Sequence, residues 1–195
     1  MSESKTMNMG PALTKGTART ECGAYITEFA SSFFMLISIV LPLLNMSVIP
    51  LRFGMGKSIV SNEVRRLGHY ETLSEAMKKS NDDAAGLAAM QKIGGLVVKS
   101  SQLALTIESM KNKGHSLLID KPGSIPKNWL PDGSEGPCMY MLDLKVDVEI
   151  SPLVAVPGPV QIPGLTGPLP IRFHEVSAFE NLGCDPETGR FCIDQ

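Results

Sequence analysis

The chain has no basic surplus. Lys and Arg number 18 against 20 Asp and Glu over 195 residues, a formal charge of −2. A nucleic-acid surface needs clustered cations, so nucleic acid is not an expected partner. Aromatics are sparse too, with one Trp, three Tyr and seven Phe, which removes the stacking platform that single strands use. No Cys-x-x-Cys or His-x-x-x-His pair occurs among the four cysteines and three histidines, so no metal site is expected. Gly-x-Ser-x-Gly, His-Glu-x-x-His and a glycine-rich dinucleotide loop are all missing, and His69, His115 and His174 stand far apart. Gly54-Met55-Gly56-Lys57-Ser58 ends like a phosphate loop but lacks the upstream glycine and follows no strand. The expectation is a protein that is not an enzyme and holds no cofactor.

What the chain does have is one long stretch without charge. Phe29 to Leu51 comprises 23 residues with no Asp, Glu, Lys or Arg. As a helix this reaches roughly 34 Å, enough to cross a hydrocarbon core of about 30 Å. It is too long for the apolar part of a cleaved secretory signal, and no small-residue cleavage site closes it. Cys22 precedes the run, so no lipoprotein signal is present. Pro42 lies inside it and removes one backbone hydrogen bond, which predicts a helix kink there. Orientation is poorly set by charge. Lys15 and Arg19 stand before the run and Arg52, Lys57, Arg65 and Arg66 after it, which mildly favours a cytoplasmic C-terminal side.

The rest reads as an α+β chain: a long N-terminal hydrophobic (transmembrane) helix, further helices, and a small antiparallel β-rich C-terminal domain. Residues 1–23 form a polar leader and 24–56 the transmembrane helix. Residues 57–114 read as a helical stalk, with a short helix over Thr72–Lys79 and a second from about Asp83 to Lys111, weakened at Gly94-Gly95. Residues 115–195 read as β-rich and Pro/Gly-rich; ten of the chain's fourteen prolines fall between Pro122 and Pro170. Tyr140 to Ile150 alternates apolar and polar, the pattern of a strand with one wet face. Asp143, Asp147 and Glu149 on that face read as solvated charges rather than a cation site. Ile171, Phe173, Val176 and Phe179 suggest a second strand. If this part is exported, Cys184 and Cys192 are expected to form a disulfide, leaving Cys138 free or intermolecular.

The last charge before the apolar run is a carboxylate, Glu28, five residues after Gly23. A buried acid at the mouth of a membrane helix is costly unless neutralised. Gly23-Ala24, the glutamate five residues after the glycine and Phe29-Ala30 at the start of the run resemble the processing site of type IV prepilins and pseudopilins. The wording is most similar to the TadE-like pseudopilins of the tight-adherence (Flp) pilus system. The Val-rich strand, Ser151-Pro152-Leu153-Val154 and Pro163-Gly164-Leu165-Thr166-Gly167 agree with it in style. Pro42 comes later than the family's proline, and Cys22 stands where a basic residue is common. The branch (TadE-like, TadG-like or another minor pilin) stays open.

The resemblance implies cleavage by a prepilin peptidase between Gly23 and Ala24, with Glu28 and Phe29 serving subunit assembly. It implies an inner-membrane, single-pass protein whose C-terminal domain is extracytoplasmic. Its partners would be that peptidase, other pilin or pseudopilin subunits, the assembly platform and membrane lipid. Physics supports the pairing independently: a new amino group at Ala24 could meet Glu28 of a neighbour, and such a pair in low dielectric favours one register. The alternative is a single-pass anchor whose exported domain binds a partner unrelated to pili.

Overall fold

Helix α1, Thr17–Gly68, is the longest element of the chain. In the computed structural model, residues 17–82, 85–155 and 162–195 are described. Most of the leader, the predicted helix start at Asp83, and Pro157 and Pro159 lie outside them. The helical backbone continues through Pro42, and the chain parts there into two compact units, Met1–Pro42 and Leu43–Gln195.

Within the second unit, α1 buries one face. Asn45, Gly56, Val60, Glu63, Val64, Leu67 and Gly68 are buried, with Ile49, Arg52 and Ile59 half-buried among them. Steps of three and four residues keep that stripe on one side, as a helix against a sheet requires. Gly56 and Gly68 are small where the helix comes closest. A Cβ on Gly56 would sit 3.1 Å from the Phe173 ring, and one on Gly68 only 2.6 Å from the Ala178 carbonyl oxygen. Gly54 faces open space.

After α1 come α2 (Leu73–Asp82) and α3 (Ala85–Lys92), then β1 (Leu96–Ser109), β2 (Ser116–Ile119), β3 (Cys138–Ile150) and β4 (Leu169–Ala178). The strands form one antiparallel sheet in the order β2-β1-β3-β4. Its inner face presents Leu103, Leu105, Ile107, Leu142, Leu144, Val146, Val148 and Phe173 to the core that α1, α2 and α3 complete with Val64, Leu67, Met77 and Met90. The C-terminal residues close one end: Ile193 is fully buried, and Asp194 Oδ1 accepts the Ile125 N–H at 2.6 Å.

The α+β class, the long apolar N-terminal helix and the strands around Tyr140–Ile150 and Ile171–Phe179 match the sequence reading. The helical stalk over residues 57–114 does not. The helix expected from Asp83 to Lys111 is α3, which stops at Lys92, followed by strand β1. Gly95, at φ +90°, breaks the helix where a side chain would also meet Arg52. Beyond it, Leu103, Leu105 and Ile107 point inward and Gln102, Ala104 and Thr106 outward, a period of two. Between β1 and β3 the chain contains β2 and a short 3-10 turn at Lys127–Trp129.

The close helix–sheet approach predicts opposite effects at two helical glycines. Gly68→Ala should lower unfolding stability by about 1–3 kcal/mol, because a backbone carbonyl cannot move aside cheaply. Gly54→Ala should be neutral or stabilising by up to about 1 kcal/mol. Urea melts of the detergent-solubilised chain measure both; the reverse order would refute the packing account.

Candidate functional site

Among the described residues of the N-terminal unit, the side chains from Tyr25 to Val40 are almost all exposed. Tyr25 is 73 % exposed, Phe29 71 % and Phe34 74 %, and Met35, Leu36 and Ile39 are exposed beside them. A helix apolar on all sides needs an apolar surrounding, from lipid or from neighbouring helices. Its hydroxyls are arranged for that surrounding. Ser31 donates to the Glu28 carbonyl at 2.9 Å and Ser38 to the Phe34 carbonyl at 2.8 Å. Ser47, in the second unit, donates to the Leu43 carbonyl at 2.9 Å. Each donor is thus satisfied within the helix itself, as hydrocarbon demands.

Glu28 is the one residue with a formal charge between Glu21 and Arg52. Its position is exposed, and among the described residues no cation pairs with it. Phe29 stacks on Phe33 one turn later, with ring centroids 6.1 Å apart. Gly23 and Ala24 lie on the helical backbone. The arrangement offers a carboxylate on an apolar cylinder, able to take one cationic partner from outside the chain. A carboxylate brought into lipid without that partner would be neutralised or excluded.

In the second unit, two polar side chains of α1 hold the chain that follows β3. Asn45 is fully buried. Its Nδ2 donates to the Val154 carbonyl at 2.8 Å, and its Oδ1 accepts the N–H groups of Leu153 at 3.0 Å and Val154 at 3.1 Å. Two turns on, Arg52 donates to the Ser151 carbonyl. Ile49, between them, touches the Pro163–Gly167 turn, where Gly164 has φ +82° and no room for a side chain. Sequence reasoning missed these contacts. The one signal was an asparagine inside an otherwise apolar run, a polar group that must find partners.

The outer face of the sheet carries the charges read from the sequence as solvated, and they are paired across strands. Asp147 receives Arg172 at 2.7 and 3.1 Å and the Ser100 hydroxyl at 2.9 Å. These donors hold its carboxyl below the usual range. Lys99 lies 3.0 Å from Glu149. Asp143 has Lys145 at 3.4 Å and His174 at 2.8 Å. Among the described residues no three His, Cys, Asp or Glu side chains gather as a metal-holding group.

The expected disulfide is absent: Cys138, Cys184 and Cys192 are all free thiols. Cys184 pairs with Phe191 across a tight hairpin, and the Cys192 N–H bonds to the Gly183 carbonyl. Neighbours on such a ladder point to opposite faces, which separates the two sulfurs. Cys138 is half-buried beside Glu135, and burial followed by that carboxylate pushes its thiol pKa up.

Comparison with protein-family models, with curated proteins and with solved structures finds no match to this chain.

Two outcomes follow from this geometry. Asn45→Leu takes the partner from two N–H groups and one carbonyl of Leu153 and Val154, beside a buried position of α1. It should cost about 2–4 kcal/mol and free the 151–155 segment for proteolysis; an unchanged urea midpoint would refute the strap. Peptide mapping of the non-reduced chain should give Cys184 and Cys192 as separate thiols. Cys184 should alkylate faster than Cys138, because only the thiolate reacts. A linked Cys184–Cys192 peptide would contradict the hairpin register.

Proposed function

We propose that this chain is a minor pilin or pseudopilin of the tight-adherence type, cleaved after Gly23 and anchored by the N-terminal half of α1. After cleavage it helps to start or build a thin surface filament used in attachment or secretion. The observation that carries the reading is Glu28. It is the one formal charge between Glu21 and Arg52, stands on an exposed apolar stretch of helix and lies five residues after a glycine. Cleavage at Gly23–Ala24 creates a cation of matching apolar setting. The amino group at Ala24 of one subunit then neutralises Glu28 of the next, which lets both enter low dielectric and fixes their stagger. The peptidase, neighbouring pilin subunits and the assembly platform are the partners, and the C-terminal domain lies outside the cytoplasm.

One observation favours the alternative, a membrane-anchored partner-binding protein that keeps its leader. The backbone is already helical from Thr17 across Gly23-Ala24, whereas peptidases cut extended chain. Gly23 offsets this, since glycine weakens a helix interior by roughly 0.5–1 kcal/mol.

Intact mass and N-terminal sequencing of membrane-extracted protein separate the two. The proposal predicts a chain beginning at Ala24, full-length accumulation in Gly23→Ala, and normal cleavage with loss of filament incorporation in Glu28→Ala. A wild-type chain still beginning at Met1, in cells with an active prepilin peptidase, would overturn it.

A further inference from the structure

The chain has a second long stretch without formal charge, the 22 residues from Ile150 to Ile171. Its described parts lie against the last turns of the first such stretch. Asn45 binds Leu153 and Val154, Arg52 binds Ser151, and Ile49 meets the turn at Gly164. Charge-free chain from two remote parts of the sequence therefore gathers at one end of the sheet. This is the end where Leu96, Ile150 and Leu169 pair.

The surface that results is apolar and open. Leu153 is 50 % exposed, Val154 40 % and Ile162 48 %, and Met46 and Leu51 of α1 are exposed as well. The surrounding polar groups are satisfied internally. Ile162 accepts the N–H groups of Leu165 and Thr166, its own N–H meets the Thr166 hydroxyl at 2.7 Å, and the Gly164 N–H meets the Gly167 carbonyl at 2.7 Å. Charges begin just beyond this surface, at Arg52, Lys99, Glu149 and Arg172.

We propose that Leu153, Val154 and Ile162 form a foot that sits in the interfacial layer of the bilayer holding α1. The inference rests on the reading of α1 as a membrane anchor. Its occupant is lipid, because the patch is held by Asn45 and Ile49, which belong to the same uncharged run of sequence as the anchoring helix. Tyr25 to Leu44 are 20 residues, about 30 Å of helix, which fills the hydrocarbon core unaided. The uncharged residues Asn45 to Leu51 add about 10 Å, the depth to which interfacial apolar groups sink. The foot lies beside this last segment. Asn45 is tolerated at that depth because the protein's own backbone satisfies it. The foot holds the domain against the membrane until the subunit is extracted, so that α1 does not act as a free tether.

Tryptophan quenching by brominated lipid tests this on the full chain in nanodiscs of phosphatidylcholine. Trp129 is the only native tryptophan. Its carbonyl accepts the Tyr140 hydroxyl at 2.7 Å, some ten strand residues and about 30 Å from Ile150, so the wild type should keep its emission. Trp129→Phe combined with Leu153→Trp should lose most of its emission to lipid brominated near the headgroup, and less to lipid brominated deep in the chain. Trp129→Phe combined with Met35→Trp should show the opposite depth order. If position 35 is quenched and position 153 is not, the foot is wrong and the anchor stands. The foot is equally refuted whether position 153 then emits as in water or, shielded by a second copy, to the blue. If neither position is quenched, the anchor reading falls and the foot with it.

Discussion

The structure depends on one constraint: a single helix must satisfy two surroundings. From Tyr25 to Val40 it exposes mostly apolar side chains, with the Ser31 and Ser38 hydroxyls turned back on the helix backbone. From Asn45 onward the same helix belongs to a folded unit, its inner stripe buried in the core beside the sheet. The change of role takes place within a few residues of Pro42, and Asn45 marks it. An unpaired amide there would cost several kcal/mol in an apolar setting. Satisfied by three backbone groups of a segment more than a hundred residues away, it fixes where the independent helix ends and the domain begins.

The packing beyond that point follows from the same need. A helix that enters the domain at a fixed place must lie flat on the sheet, and Gly56 and Gly68 allow the approach at Phe173 and Ala178. The paired charges on the opposite face of the sheet keep that face wet and leave one apolar side for the helices. Arg52 ends the uncharged run and also binds the chain leaving β3, so the last two turns of the apolar stretch already belong to the domain.

Much of this was legible in the sequence, and for physical reasons. Tyr140–Ile150 alternates so regularly that only a strand with one buried face accounts for it. The uncharged run announces its helix by length alone. Leu96–Ser109 was misread because its first residues form an apolar cluster without alternation, and the small residues before it extend a helical pattern across Gly94-Gly95. The positive φ of Gly95 reveals the break, and sequence does not show φ. The Asn45 strap joins positions 109 residues apart at its farthest, a contact that no local pattern announces. The Cys184–Cys192 bridge failed on direction: spacing allowed a loop, and the ladder turned the side chains apart. Of the candidate site, Glu28 and its apolar setting were visible at once, because charge against hydrophobicity is the contrast sequence displays best.

The central claim is that α1 changes allegiance near Pro42. Hydrogen exchange of the full chain in nanodiscs, followed by peptide across a urea series, addresses it most directly. The account predicts that amides from Asn45 to Gly68 lose protection in the same transition as β1 and β3, while those from Tyr25 to Leu41 stay protected by lipid. Protection of Asn45–Leu51 that persists with the N-terminal half after the sheet has opened would contradict it.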